Sequence, residues 1–206
     1  MTIDRKAHWD NVYGEKSEAQ LSWHQDDPGV SLELIAMTGL TSVSSVIDIG
    51  GGTSRLASAL LAIGLNDVTV LDLSQVALDA ARDRLGQAGE TVTWISADIT
   101  SWVPDRPYDL WHDRAVFHFL VDRSERAAYL KNLERGVGIG GHAIIATFAP
   151  DGPETCSGLP VARYSPGDLA ELLEENFELV AERHPLHHTP SGKSQSFQFS
   201  LFRRRR

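Results

Sequence analysis

Acidic residues and glycines stand directly after three short hydrophobic runs of this sequence. Glycine lets the backbone turn tightly and approach a ligand closely, because it has no side chain. A carboxylate after one run can accept hydrogen bonds from both hydroxyls of a ribose, and one after the next run can accept the amino group of adenine. The three groups therefore predict a site for a nucleoside cofactor. They are Asp48, Gly50, Gly51 and Gly52, then Asp72 and Leu73, then Asp98 and Ile99.

Strands and helices must alternate if these groups are to meet at one edge of a sheet. Short β-branched and apolar runs predict strands, and amphipathic segments between them predict helices. Repeated strand–helix units favour an α/β fold whose parallel sheet is covered by helices on both faces. The predicted strands cover residues 43–49, 68–72, 91–96, 108–111, 142–148, 177–184 and 195–203.

The turns and caps refine this prediction. Ser74, Ser124 and Ser165 are expected to cap helices, because a serine hydroxyl accepts a free N–H of the first turn. A closing hairpin predicts that the last strand runs antiparallel to its neighbour. Alternation in that strand predicts one buried face and one wetter face, which carries Gln198 and Ser200.

Composition narrows the classes of function. The 206 residues fit one domain, and the net charge of −9 argues against nucleic acid as a partner. The single cysteine, Cys156, excludes an internal disulfide and favours a cytoplasmic location. No apolar run is long enough to span a membrane, so we expect no membrane association.

With these motifs, the chain resembles the class I S-adenosylmethionine-dependent methyltransferases over residues 43–203. The N-terminal residues 9–28 resemble small bacterial members, in which an aromatic loop such as 21–23 folds over the cofactor. The third glycine of the family's first motif is Ser54 here, a residue that can cap the following helix. The matching segments are 48–52, Asp72, 97–99, 108–111 and 140–145.

The resemblance implies a Rossmann-like, doubly wound sheet of seven strands, mostly parallel, with an antiparallel last strand inserted between strands five and six. It also implies S-adenosyl-L-methionine as cofactor and S-adenosyl-L-homocysteine as product. The cofactor-binding residues that we expect are Trp23, Asp48, Gly50, Gly51, Gly52, Asp72, Leu73, Asp98, Ile99 and His112.

A dinucleotide-dependent oxidoreductase is the main rival. Its fingerprint needs a third small residue for close packing of helix and strand, and Arg55 stands there instead. An acid at Asp48, just before the glycines, suits a cofactor with an amino group better than one with a pyrophosphate.

Methyl transfer from a sulfonium needs alignment and exclusion of water more than a nucleophilic triad. The family places groups near the transferred methyl in the segment 112–119. We expect Asp113 or His118 to contact the acceptor or to act as a general base. The alternative is that Asp113 pairs with Arg114 and that His118 is a satisfied core histidine.

The segment 150–164 is long and contains glycine, which suits a lid over the acceptor. Arg163 and Tyr164 are candidates for binding a substrate carboxylate. The histidines at 184, 187 and 188 lack the spacing of a zinc site, so no metal is expected.

We therefore interpret residues 1–206 as one methyltransferase domain, with residues 1–40 as a helical cap and 43–203 as the core. The predicted function is methyl transfer to a small-molecule acceptor by direct in-line substitution, in a monomer or homodimer. Methylation of protein lysines and non-catalytic binding of S-adenosylmethionine remain the alternatives.

Overall fold

The structure, a computed structural model, describes residues 4–173 and 176–206. Its centre is a twisted sheet flanked by helices. The strands are β1 Ser45–Ile49, β2 Asp67–Asp72, β3 Thr93–Ser96, β4 Tyr108–Arg114, β5 Val137–Phe148, β6 Thr155–Cys156, β7 Leu159–Pro160, β8 Phe177–Arg183, β9 Leu186–His188 and β10 Ser194–Arg204. The α-helices are α1 Arg5–Glu15, α2 Gly29–Ala36, α3 Leu56–Ala62, α4 Gln75–Leu85, α5 Arg123–Gly136 and α6 Pro166–Leu173.

The strand order is β3-β2-β1-β4-β5-β10-β8. The first five strands run parallel, whereas β10 lies antiparallel to both β5 and β8. This confirms the α/β class, the parallel sheet and the insertion of the last strand. A short extra strand, β9, pairs with β10 and brings the sheet to eight strands rather than the expected seven.

Successive side chains of a strand point to opposite sides of the sheet, and helices cover both sides. On β1, Val46 packs into a cluster with α2, α3 and α4, and Ile47 packs into a second cluster with α5 and α6. The same double burial corrects the prediction for β10. Gln198 and Ser200 are completely buried, and they satisfy each other by a hydrogen bond of 2.6 Å from Ser200 Oγ to Gln198 Oε1.

Two of the three predicted serine caps are confirmed. Ser74 accepts the N–H of Ala77 at 3.2 Å at the start of α4, and Ser165 accepts that of Asp168 at 3.1 Å at the start of α6. The prediction for Ser124 is wrong. Asp122 caps α5 instead, and its carboxylate accepts the N–H of Ser124 at 2.7 Å.

The N-terminal helices lie against the sheet at specific polar contacts. Ser74 Oγ donates to Asp10 of α1 at 2.7 Å, and Arg5 of α1 pairs with Glu125 of α5 at 2.8 Å. These contacts hold α1 against the first turns of α4 and α5. None of the helices among the described residues is both long and apolar enough to cross a bilayer.

Candidate active site

A cavity opens at the carboxyl edge of the sheet, where ligands bind in doubly wound folds. Residues that follow β1, β2, β3, β4 and β5 line it, together with the first residues of β10 and the aromatic side chains of the N-terminal segment. These residues include Trp9, Tyr13, Trp23, Gly50, Asp72, Leu73, Asp98, Ile99, Arg114, Val116, His118, Phe119, Phe148, Cys156, Gln195 and Phe197.

The glycine turn after β1 lies beside this cavity, and Gly50 lines it. Gly52 has a φ of +47°, a conformation that side chains disfavour, and a Cβ there would lie 2.5 Å from the Tyr13 hydroxyl oxygen. The Gly50 N–H donates to the carbonyl of Leu71 at 2.6 Å, which ties the turn to the end of β2. The turn thus brings bare backbone to the cavity, as the sequence predicts.

Asp72 ends β2 beside this turn and is almost fully buried. Its Oδ1 accepts the N–H of Ser74 at 2.8 Å, and none of the ion pairs among the described residues includes it. Burial raises the pKa of Asp72 to about 7. A buried carboxylate without a cation fits the paired hydroxyl donors of a ribose, so the residues present fit a nucleoside cofactor.

Asp98, Leu73 and Ile99 line the same cavity at the ends of β2 and β3. One oxygen of Asp98 accepts from the N–H and the hydroxyl of Thr100, at 2.8 and 2.7 Å. The other carboxylate oxygen has no hydrogen bond within the part of the chain that the structure describes, and it is available to an amino group. Ile99 supplies an apolar wall against which a flat base can lie.

Asp48 and His112 line a smaller pocket behind the glycine turn, and they do not line the main cavity. His112 Nδ1 lies 2.7 Å from Asp48 Oδ1, and its Nε2 lies 2.9 Å from the hydroxyl oxygen of Ser31. All three side chains are buried. The two side chains thus contact each other, and their predicted contact with the cofactor stays a prediction. Gly51 lines the smaller pocket beside them.

Trp23 belongs to an aromatic cluster with Trp9 and Tyr13 at the mouth of the cavity. The ring centroids of Trp23 lie 5.6 Å from Trp9 and 5.9 Å from Tyr13, both edge to face. The cluster joins the N-terminal segment to the cavity wall, where the sequence predicts an aromatic lid.

Asp113 lies beneath the cavity and does not line it, and its predicted contact with the acceptor stays a prediction. Its oxygens accept the N–H groups of Val116 and Phe117 at 2.8 and 3.0 Å, and the hydroxyl of Tyr129 at 2.6 Å. Burial raises its pKa to about 6, although these hydrogen bonds lower it. Asp113 fixes the loop after β4. The alternative, an ion pair of Asp113 with Arg114, is wrong, because Arg114 donates to the Trp23 carbonyl at 2.5 Å.

His118 lines the cavity and is completely buried. Its Nδ1 accepts the N–H of Phe148 at 3.4 Å, so the neutral ring carries its proton on Nε2, which has no hydrogen-bond partner. Burial lowers the pKa of His118 to about 3. The ring is therefore a hydrogen-bond donor rather than a general base.

The segment expected to be a loop lid contains a two-stranded hairpin, β6 and β7, whose Cys156 faces the cavity. Burial raises the pKa of the Cys156 thiol to about 11. Arg163, the predicted carboxylate binder, instead pairs with Glu154 at 3.1 Å and lies outside the cavity wall. In residues 4–173 and 176–206 no group of three or more His, Cys, Asp or Glu could hold a metal ion.

Sequence reasoning missed several residues that line the cavity, among them Arg114 and Gln195. The sequence leaves open whether Tyr13 contacts the sulfonium or only packs the N-terminal helix onto the sheet, and the structure places Tyr13 in the cavity wall. Arg114 ends β4 and was considered only as a partner of Asp113, and its neighbour Ala115 has a φ of +72° that no sequence pattern predicts.

The chain is similar in sequence to known methyltransferases. Residues 46–141 match a family model described as a methyltransferase domain. Trans-aconitate 2-methyltransferase of Rhizobium rhizogenes is 31% identical over 120 residues, which are 58% of this chain and 43% of that protein. Malonyl-[acyl-carrier protein] O-methyltransferase 1 of Ilyobacter polytropus is 25% identical over 174 residues, 79% of this chain and 62% of the relative. The chain thus spans less than two thirds of either relative.

Solved structures share the fold over the whole length. The Burkholderia thailandensis 1,6-didemethyltoxoflavin-N1-methyltransferase, solved with bound 1,6-didemethyltoxoflavin and S-adenosylhomocysteine, aligns with a TM-score of 0.73 at 19% identity. The alignment covers 98% of this chain and 84% of that one. Residues 46–141 are therefore a methyltransferase domain, and the fold is that of the class I S-adenosylmethionine-dependent methyltransferases.

Proposed function

We propose that this protein transfers a methyl group from S-adenosyl-L-methionine to a small-molecule acceptor. The observation that carries the proposal is the buried carboxylate of Asp72 beside the bare backbone of Gly52, in a cavity that continues to His118 and Cys156. One end of this cavity suits a nucleoside, and the other leaves room for a second reactant.

Different residues of the chain would bind different parts of the cofactor. Asp72 would accept the ribose hydroxyls, Asp98 would accept the adenine amino group, and Leu73 and Ile99 would enclose the base. S-adenosylmethionine supplies a methyl group that its sulfonium already activates. The protein therefore has to align the two reactants and to exclude water.

The aromatic cluster of Trp9, Tyr13 and Trp23 would exclude water at the mouth of the cavity. Aromatic faces also attract a sulfonium cation. Asp113 contributes indirectly, because its two backbone hydrogen bonds hold the loop that carries Val116 and His118. It is a positioning residue in this proposal.

A small acceptor is favoured over a protein because helix α1, the β6–β7 hairpin and the start of β10 all border the cavity. The relatives named for trans-aconitate and malonyl-[acyl-carrier protein] support the same choice. A eukaryotic eEF1A lysine and N-terminal methyltransferase from Mus musculus, 21% identical over 131 residues, keeps protein methylation as the alternative.

Calorimetry with S-adenosylmethionine and S-adenosylhomocysteine tests the first half of the proposal. We expect both to bind the wild type, and we expect S-adenosylhomocysteine to bind Asp72→Ala at least about 10-fold more weakly, the loss of one or two hydrogen bonds to a charged group. An Asp79→Ala variant, whose carboxylate accepts from Gln75 on the exposed side of α4, is the matched control. Equal affinity of wild type and Asp72→Ala would remove the site from this position.

A labelled-methyl assay over a cell extract tests the second half. Label in the low-mass fraction is the expected result. Label only in protein bands would favour the alternative, and binding without any transfer would leave a non-catalytic cofactor-binding protein. We further propose a single domain, a cytoplasmic location and a monomeric or homodimeric state without nucleic acid, which fractionation and light scattering test.

A further inference from the structure

The charged groups of the cavity are divided along the sheet edge. Asp72 and Asp98 stand at the ends of β2 and β3, whereas Arg114 stands at the end of β4, toward β5 and β10. Neighbouring strands lie about 4.8 Å apart, so the acidic end and the basic end are separated by roughly 10 Å or more. Asp72 and Asp98 are the residues proposed to bind the nucleoside, so the basic end is left for the second reactant.

Arg114 has no ionic partner among the described residues. Arg114 lines both the main cavity and the smaller pocket, and its one hydrogen bond within residues 4–173 and 176–206 runs to the neutral carbonyl of Trp23 at 2.5 Å. Asp48, the carboxylate that acts on it electrostatically, is already hydrogen-bonded to His112. Burial lowers the pKa of Arg114 to about 10, so it stays charged at neutral pH. A partly buried cation with spare N–H groups favours an anionic ligand.

Two further donors face the same end. The Nε2–H of His118 is buried without a partner, and the side-chain amide of Gln195 at the start of β10 also lines the wall. Among the described residues at this end of the cavity, none is a free general base. The oxygens of Asp113 are engaged beneath the wall, the neutral ring of His118 carries its proton on the unpartnered Nε2, and the Cys156 thiol stays protonated.

An acceptor that is already anionic satisfies both observations at once. We propose that the acceptor is a carboxylic acid, and that Arg114 binds its carboxylate while the Nε2–H of His118 donates a second hydrogen bond. This inference rests on the proposed function and adds the chemical class of the acceptor.

The transfer then balances without a base. One carboxylate oxygen forms the bond to the methyl carbon as the carbon–sulfur bond breaks, and the electron pair of that bond stays on sulfur. The carboxylate becomes a methyl ester, the sulfonium becomes a neutral thioether, and no proton moves. Each carboxylate oxygen has two lone pairs, so an oxygen that accepts from Arg114 keeps one for the attack.

The class of acceptor is tested by the alkali lability of the label. Extract metabolites, trans-aconitate and succinate are methylated with labelled cofactor, and the product is treated with mild alkali. We expect label that is released as methanol, because methyl esters hydrolyse and methyl groups on nitrogen, sulfur or carbon do not. Alkali-stable label in small molecules overturns the inference and leaves the proposed function standing. No label in any fraction overturns the function itself.

The role of Arg114 is tested with Arg114→Gln and with Arg114→Lys, which keeps the charge but loses the planar fork. For the best carboxylate substrate we expect Arg114→Gln to raise KM by about 10- to 100-fold, the range for hydrogen bonds to a charged group, and Arg114→Lys to restore part of it. The calorimetric Kd of S-adenosylhomocysteine should stay within about twofold. Arg183→Gln, which breaks an exposed pair with Glu33, is the control for loss of an arginine.

Two results contradict this assignment. Weaker binding of S-adenosylhomocysteine to Arg114→Gln, with unchanged binding of 5′-methylthioadenosine, would show that Arg114 holds the amino-acid carboxylate of the cofactor instead. A rise in KM for Arg163→Gln, but none for Arg114→Gln, would return the role to the lid arginine.

Discussion

His112 and Asp48 face each other in register on β4 and β1, and their side chains meet at 2.7 Å in the interior of the protein. A carboxylate oxygen accepts, so Nδ1 of His112 donates to Asp48, and the other ring nitrogen, Nε2, lies 2.9 Å from the hydroxyl oxygen of Ser31. Ser31 lies on α2, so this buried row of three side chains connects the N-terminal cap to the centre of the sheet. Asp48 is separated from the glycine turn by a single residue, so the row supports the turn from the interior of the protein.

Substitutions in this buried row should lower the free energy of unfolding, most of all where they leave a buried charge without its partner. His112→Ala leaves the Asp48 carboxylate buried without its donor, and we expect the free energy of unfolding to fall by about 3–5 kcal/mol. Ser31→Ala removes a hydrogen bond between neutral groups and should lower it by about 1 kcal/mol. Urea unfolding measures both. A loss below about 1 kcal/mol for His112→Ala would contradict the structural role given to the pair.

Asp72 should make cofactor binding depend on pH. Its pKa in the folded protein is about 7, and the cofactor hydroxyls donate to the ionised form. We therefore expect the affinity for S-adenosylhomocysteine to rise between pH 6 and pH 8, and this rise to disappear in Asp72→Asn. Calorimetry at three pH values checks it, and an equal slope in both proteins would contradict it.

Asp72 should lower the stability of the apo protein at the high pH values at which it binds the cofactor most tightly. An unfolded aspartate has a pKa of about 4, so between about pH 4 and pH 7 the folded state holds this proton more tightly than the unfolded state. The free energy of unfolding contributed by Asp72 therefore falls as pH rises through that window. Asp72→Asn should melt higher than the wild type at pH 8, and the difference should shrink at pH 5. Thermal unfolding of the apo wild type and of apo Asp72→Asn at pH 5 and pH 8 tests this prediction.

His118 should show the opposite sign. Its folded pKa of about 3 lies below the value near 6.5 of an unfolded histidine, so its contribution to stability is present above about pH 6.5 and is lost as pH falls toward 3. His118→Phe should make the apo protein less sensitive to acid, whereas the exposed His184→Gln should not. If His118→Phe and the wild type lose stability in parallel below pH 6, the ring is not buried in its neutral form.

Gly52→Ala should damage the cofactor site in a way that a second substitution partly repairs. A Cβ at residue 52 meets the Tyr13 hydroxyl at 2.5 Å, and the positive φ adds strain of about 1 kcal/mol. We expect weaker binding of S-adenosylhomocysteine in Gly52→Ala and partial recovery in Gly52→Ala with Tyr13→Phe, which removes the hydroxyl. Gly39→Ala, at a positive φ with open space around it, controls for backbone strain alone.

The sequence was sufficient for the sheet and for the placement of two predicted site residues at one edge of it. Periodicity and glycines predict strands and turns, and strand order then brings Asp72 and Asp98 to one edge. It was insufficient where partners come from distant segments. The sequence suggests the acceptor or Arg114 as the partner of Asp113, yet Tyr129, 16 residues later, and two backbone N–H groups occupy its oxygens.

Burial on both faces explains the remaining differences. Alternation in β10 predicts a wet face, but α-helices cover both sides of an interior strand, so Gln198 and Ser200 become buried partners. Asp48 and His112 likewise read as ligand contacts at strand ends, and only the register between β1 and β4 shows that they satisfy each other.

The position of β10 also has a consequence for synthesis on the ribosome. Every other strand of the sheet precedes it in the chain, yet it lies between β5 and β8. Until residues 194–204 have emerged, the longest strand, β5, presents an unpaired edge of hydrogen-bonding groups beside the apolar Ile144 and Ile145. Such an edge is open to pairing with other nascent chains. The protein should therefore rely on chaperones late in translation, and slowing elongation over these residues should increase aggregation more than slowing it elsewhere.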